Sequence, residues 1–301
     1  MIRTADLLNE FASKRSDVFI QLTDEERKAL HMCLLDIYQD IAAVCEKHNL
    51  AIMLGGGSVL GAIRHQGFIP WDDDMDAMMP REDYDKFIKC FDEELGDKYF
   101  LEAPRTSNKS DILYMQVIKK GTRLLSLNNV YEDDKNGLRI DIFPIERTSS
   151  NSLSRKILGC ISNFSYRILH SIPFSTVHAK NPLYRECYMY SFQTKLIYYS
   201  RYCIGLFLSV FPQKKLFDAY DKFISSNKGT EYCTIPTGRK HYEGETRLRN
   251  VFLPVKKANF EGVEVNVPND ADAYLKNLYG DYMIIPPIEK RERHFYVEFK
   301  L

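Results

Sequence analysis

The chain has 301 residues, with 41 Lys and Arg balanced by 41 Asp and Glu; 45% of residues are hydrophobic and 27% are charged. That length and apolar content can bury a sizeable core, as one large domain or a core with an auxiliary lobe. Balanced charge excludes the basic footprint that a nucleic-acid partner demands. Seven cysteines without a C-x-x-C pair fit a reducing compartment better than a disulfide framework, and the first residues lack the apolar core of a signal peptide. A cytoplasmic protein is expected.

In chain order, residues 24 to 48 predict a helix. Thr23-Asp24-Glu25-Glu26 has the capping-box pattern, and Leu30, Leu34, Ile37, Ile41 and Val44 recur at helical spacing. Ala51 to Leu54 predicts a short buried strand running into Gly55, Gly56 and Gly57, which allow a sharp turn and close approach to a ligand. Ser58 is placed to N-cap a helix through about His65, and the amides of Gly56, Gly57 and Ser58 could cradle phosphate oxygens.

The chain then returns through Gly67 and Pro70 into Trp71-Asp72-Asp73-Asp74-Met75-Asp76-Ala77-Met78-Met79. Read as one strand, Asp74 and Asp76 share a face and Met75, Ala77 and Met79 the other. Adjacent carboxylates repel unless a cation lies between them, and hard oxygen donors suit Mg²⁺. Acidic clusters are commonly solvated loops, but the apolar neighbours place this pair in a partly buried setting where unpaired charge is costly.

Arg81 to Leu95 predicts an amphipathic helix with Tyr84, Phe87, Ile88 and Phe91 inward. Strands follow near Tyr99 to Glu102, Leu113 to Lys119, Arg123 to Ser126 and Leu138 to Phe143. In the last, Asp141 lies between Ile140 and Ile142, an unfavourable strand position for a lone carboxylate. Either Asp141 pairs with a base such as Arg139, or it completes a three-carboxylate cradle with Asp74 and Asp76 that holds one or two metal ions on a nucleotide diphosphate.

From about Ser149 the character changes, suggesting a catalytic core over residues 1–148 and a second region over 149–301 packed on it. Ser149 to Ser154 is expected to be a polar linker, followed by helices to about Ile224. Leu196 to Phe211 is strongly apolar, shorter than a spanning helix and interrupted by Arg201, so a buried core helix is expected, with a lipid- or acceptor-facing surface as the alternative. Strands at Asn250 to Val255 and Val263 to Val267 precede a helix from Asp270 to Tyr279, which Gly280 ends. His294 in the charged tail is read as an exposed histidine.

The residues Gly57 to His65, Gly67-Phe68-Ile69-Pro70-Trp71-Asp72-Asp73-Asp74-Met75-Asp76, Met79 to Tyr84, Leu138-Arg139-Ile140-Asp141-Ile142-Phe143-Pro144 and Tyr279-Gly280-Asp281-Tyr282 with Pro286 and Pro287 resemble the LicD family, which includes phosphocholine transferases, and more distantly the fukutin-type transferases. The resemblance implies an α+β fold: a nucleotidyltransferase-like core (a small mixed sheet with packed helices), with a helical insertion and a small α/β C-terminal lobe. It implies a CDP-activated alcohol as donor, CMP as the leaving product, and a glycan or lipid-linked saccharide as acceptor, with peripheral membrane contact conceivable.

On that resemblance Asp74, Asp76 and Asp141 are the catalytic and metal residues, with Mg²⁺ as the ion and Mn²⁺ as a substitute. Gly56, Gly57, Ser58, Arg64 and Lys119 are the candidate nucleotide and phosphate contacts. Arg64 and Lys119 read about as well as solvated surface charges. A quaternary ammonium would need an aromatic cage, whereas ribitol or glycerol would need polar contacts, and the sequence does not choose. A D-x-D glycosyltransferase acting on a nucleotide-sugar and a non-catalytic binding module are the rival readings.

Overall fold

A computed structural model describes residues 19–106, 112–126, 136–189, 191–288, 291 and 296–301. His294 lies outside the described residues. Helix α1 (Asp24–Lys47) begins at the expected capping box: Thr23 Oγ1 accepts from the Glu26 amide, and Glu26 accepts from the Thr23 amide. Its apolar stripe, including Leu30, Leu34, Ile37 and Ile41, is buried in the main core.

Strand β1 (Met53–Leu54), helix α2 (Gly56–Arg64), strand β2 (Asp76–Pro80) and helix α3 (Arg81–Leu95) follow. Then come β3 (Tyr99–Glu102), β4 (Met115–Lys119), β5 (Arg123–Ser126) and the long β6 (Arg139–Thr148). The sheet order is β1-β2-β6-β4-β3. β2 and β6 are parallel, with Asp76 opposite Asp141 and Pro80 opposite Ile145; the other described pairings are antiparallel. A parallel neighbour cannot be reached by a tight hairpin, and α3, β3, β4 and β5 occupy the intervening connection. The result is a mixed sheet with helices packed on it, as expected.

Beyond β6 the chain is helical: α4 (Ser152–Leu169), α5 (Ser171–Thr176), α6 (Pro182–Glu186), α7 (Phe192–Leu208) and α8 (Gln213–Ile224). The expected linker is shorter than predicted. Asn151 accepts from the Ser154 amide and caps α4, so Ser152 to Ser154 already belong to its first turn. The chain then rejoins the sheet: β7 (Tyr232–Thr234) pairs with the end of β6, and β8 (Arg247–Leu248) pairs with β7. Short helices α9 (His241–Gly244) and α10 (Arg249–Phe252) flank β8, then hairpin β9–β10 (Lys256–Phe260, Val263–Val267), helix α11 (Ala271–Tyr279) and strand β11 (Tyr296–Lys300). The strand expected at Asn250 to Val255 is therefore a helical turn followed by the hairpin. Phe252, Phe260, Val265, Leu275 and Leu278 enter the same core as α1 and α3.

A buried ion cluster ties these layers. Arg81, the first residue of α3, donates from Nε to Glu146 of β6 at 2.8 Å, and its Nη2 pairs with Glu146 and, at 3.0 Å, with Asp221 of α8. Both carboxylates are almost fully buried. Burial pushes the Glu146 carboxyl up while Arg81 pulls it down. Removing the guanidinium leaves two buried carboxylates without their shared partner. Arg81→Met is expected to lower unfolding free energy by about 3–5 kcal/mol in urea titrations; an unchanged midpoint would mean the cluster contributes nothing net.

Candidate active site

Asp76 and Asp141 are brought together by the β2–β6 ladder, since directly paired strand residues project to the same face. The neighbouring β4 adds Gln116, opposite Asp141, whose Nε2 donates to Asp141 Oδ1 at 3.0 Å. Arg139 Nε lies 3.4 Å from the same oxygen. The ion pair considered as the alternative role for Asp141 is thus present, and the carboxylate pairing with Asp76 is present beside it. Ile140 and Ile142 point to the opposite, fully buried face.

Asp74 is placed differently from the expectation. The strand begins only at Asp76, and Asp72 to Met75 are irregular, so Asp74 does not follow the strand alternation with Asp76. Asp73 is buried and accepts a hydrogen bond from the Tyr296 hydroxyl; the charges of Asp73 and Asp74, after burial, hold that phenol neutral. His31 bonds to the Asp72 carbonyl at 2.7 Å and stacks on Phe68, fixing the segment from outside. Among the described residues no group of three or more His, Cys, Asp and Glu side chains converges tightly enough to hold a metal ion. Asp76 and Asp141, opposite each other in the register, offer a pair of carboxylates, the donor chemistry a hard divalent cation accepts.

The glycine turn lies against this pair. Gly55 is the N-cap of α2 and its amide donates to the Asp76 carbonyl at 2.8 Å. Ser58 is not the cap. It sits inside the first turn, where its hydroxyl accepts from the Asp76 amide at 2.9 Å and so joins the turn to the acidic strand. Gly56 has φ +45°, which favours glycine, and a Cβ there would stand 3.2 Å from Asp76 Oδ2 and press on that carboxylate. A Cβ on Gly57 would stand 3.1 Å from Asp72 Oδ2. Of the three amides expected to cradle phosphate, that of Gly56 donates to the Tyr274 hydroxyl at 3.0 Å and that of Ser58 to the Gly55 carbonyl at 2.9 Å.

The remaining two sequence candidates separate. Arg64, at the end of α2, donates to the Tyr282 carbonyl at 2.6 Å and to His65, and lies beside the Trp71 ring. It therefore joins α2 to the segment after α11. Lys119 is not brought to the site. Val117 and Lys119 share a strand face opposite to Gln116, and the Lys119 charge acts on the Cys33 thiol of α1, which places it on that side.

Several residues near the carboxylates escaped the sequence reading. Tyr114 packs on Phe143 with ring centroids 4.5 Å apart, and the Asp141 charge, followed by burial, pushes its hydroxyl well above the usual phenol range. Tyr274 and Tyr279 of α11 converge on Gly56, and the Arg239 guanidinium lies 5.2 Å from the Tyr279 ring centroid. The Tyr279-Gly280 motif was visible in the sequence, but its partner was not. Gln116 and Arg239 carried no signal, because neither residue type stands out in its local pattern.

With this geometry in hand, residues 49–183 match the family profile described as "LicD/FKTN/FKRP, nucleotidyltransferase domain". Over that span the chain resembles the LicD family. It is 27% identical over 282 residues to the lipopolysaccharide cholinephosphotransferase LicD of Haemophilus influenzae, covering 91% of this chain and 96% of that protein. It is also 29% identical over 126 residues to an uncharacterized protein of Rickettsia prowazekii, covering 39% of this chain and 47% of that one. The matched LicD region runs from the end of α1 through β2 and β6 into the helical segment, so both Asp76 and Asp141 fall within it.

Two tests follow from the turn and its support. Gly56→Ala should cost stability on the order of 1–2 kcal/mol from the left-handed backbone and also displace Asp76, which differential scanning calorimetry and turnover would read separately. Glu245 supports the loop bearing Arg239: its Oε1 accepts from the Lys240 amide at 3.0 Å, and burial pushes its carboxyl up to about 7. The unfolded chain loses this proton near pH 4.5 and the folded chain only near 7, so stability falls as pH rises across that window. The fall amounts to about 3 kcal/mol. Glu245→Gln should remove that slope in denaturation measured at intervals from pH 4 to 8; an unchanged slope would reject the assignment.

Proposed function

We propose that this protein transfers phosphocholine from a CDP-activated donor to a sugar hydroxyl of a cell-surface glycan or its lipid-linked precursor, with release of CMP. The observation that carries the reading is the Asp76–Asp141 pair beside the Gly55–Ser58 turn, in a chain similar over nearly its whole length to a lipopolysaccharide cholinephosphotransferase. In this reading Asp76 and Asp141, with Asp74 as the third carboxylate of the expected set, would hold Mg²⁺ (or Mn²⁺ in its place), which would neutralise the donor diphosphate.

The chain's own groups have definite roles. The acceptor oxygen forms a bond to the phosphorus that bears choline, the bond from that phosphorus to the bridging oxygen breaks, and that oxygen leaves on CMP. Asp141, held by Gln116 and Arg139, would either ligate the metal or take the hydroxyl proton. Arg139, Arg64 and Arg239 supply positive charge around the turn. Gly56 and Gly57 let the turn lie close against the Asp76 and Asp72 carboxylates. Tyr114 and Phe143 offer neutral ring faces near Asp141, a surface that favours a quaternary ammonium over ribitol or glycerol.

The test is calorimetric titration of CDP-choline, CDP-ribitol, CDP-glycerol and a UDP-sugar with and without Mg²⁺, together with CMP release on adding a glycan acceptor. Metal-dependent binding of CDP-choline is expected. Asp76→Asn and Asp141→Asn should each lower turnover by about 10²-fold or more while thermal unfolding is retained. Wild-type-like turnover in either variant, or UDP release in place of CMP, would reject the proposal.

A further inference from the structure

Helix α7 was expected to be buried, and it is not. Of its residues only Thr194, Tyr198 and Gly205 are buried. Gly205 sits flush against the start of α5, where a Cβ would collide with the Ser171 carbonyl, so that side of the helix is fixed inward. The opposite side carries Phe192, Leu196, Tyr199, Leu206 and Phe207 and continues to Val210. These positions are spaced by one or two helical turns, with Leu206 and Phe207 adjacent, and form one stripe along the helix. Phe192 is 81% exposed and Val210 75%.

Helix α4, which touches α7, repeats the arrangement. Gly159 and Ser162 face the interior, whereas Leu153, Ile157, Ile161 and Phe164 fall on one outward stripe, with Leu153 and Phe164 each 67% exposed. Soluble monomers rarely leave contiguous apolar surface of this extent, and such faces mark interaction sites.

Charge identifies the occupant. From Ser149 to Lys215 the sequence holds nine Lys and Arg and a single acidic residue, Glu186, in a chain whose charges balance overall. Lys156 and Arg167 lie exposed beside the α4 stripe and Lys195 beside the α7 stripe. A second copy would set two like-charged faces against each other, which is unfavourable. Aromatic and aliphatic residues flanked by Lys and Arg suit the headgroup layer of an anionic bilayer, where the apolar side enters the acyl boundary and the cations meet lipid phosphates. No described helix is long and apolar enough to cross a membrane, so the contact lies in the plane of the interface.

We propose that the α4 and α7 faces form a docking surface for an anionic lipid bilayer. The proposal is independent of the reaction above, since it rests on neither the carboxylates nor the turn. It is tested by co-sedimentation of the full chain with vesicles of phosphatidylglycerol and phosphatidylethanolamine, against vesicles of phosphatidylcholine alone, at low and high salt. Binding is expected to favour the anionic vesicles by about tenfold or more and to weaken with salt. The double variant Phe207→Ser with Val210→Ser should lose about tenfold in binding, and so should Leu153→Ser with Phe164→Ser. Both pairs are exposed, so thermal unfolding should be unchanged, and Met32→Ser on exposed α1 surface should bind like wild type. Absence of vesicle binding, equal binding to both vesicle types, or wild-type binding by both double variants would overturn the proposal. A concentration-dependent dimer abolished by the same substitutions, without vesicle binding, would instead give the face to a second copy.

Discussion

The parallel register of β2 and β6 is the constraint on which the site depends. Its five pairs run from Asp76 opposite Asp141 to Pro80 opposite Ile145, and the residues next in line, Arg81 and Glu146, are joined by the buried ion pair. Like charges are thus held side by side at one end and opposite charges at the other. A slip of one residue would turn Asp141 into the apolar layer and Ile142 out of it, and it would also separate Arg81 from Glu146. Because Arg81 also grips Asp221, the helical region helps to hold the register that aligns the carboxylates. The chemistry at one edge and the packing at the other are therefore not independent.

The glycine turn is closed from an unexpected direction. Gly56 and Tyr274 are 218 positions apart, yet their amide and hydroxyl bond directly. Arg64 and the Tyr282 carbonyl make a second such contact one helix length away. The late Tyr-Gly-Asp-Tyr motif thus belongs to the same construction as the early Gly-Ser turn, and α11 acts as its outer wall. The β9–β10 hairpin adds a third support, since Glu261 accepts from the Phe68 amide.

Much of this was legible wherever a local rule dominates. The capping box fixed the start of α1, the alternation around Asp141 put that residue on the face opposite Ile140 and Ile142, and Arg81 to Leu95 carried a clean helical stripe. The failures have identifiable causes. Ser58 resembles an N-cap, but Gly55 can start the helix with its carbonyl while the serine hydroxyl satisfies a strand amide instead. Asp74 follows directly on Asp72 and Asp73, which are held by His31 and Tyr296, long-range partners that no window contains. Lys119 was credited for its position at a strand end, when strand parity turns it toward α1. For α7, overall apolarity suggested burial, whereas the small residue at Gly205 shows which side packs.

The asymmetric placement of charge has a consequence beyond any single contact. A formal charge of zero and an isoelectric point near 7 describe a protein without strong electrostatic preference. Yet the stretch between Ser149 and Lys215 is almost emptied of acids, holding only Glu186 beside its Lys and Arg, so the rest of the chain carries the compensating negative excess and the molecule is a permanent electric dipole. In a field such a body feels a torque even though it feels little net force. It would turn before it touches, presenting the same side to any charged surface within roughly a Debye length, about 8 Å at physiological salt. Bulk titration of net charge would never reveal that preference.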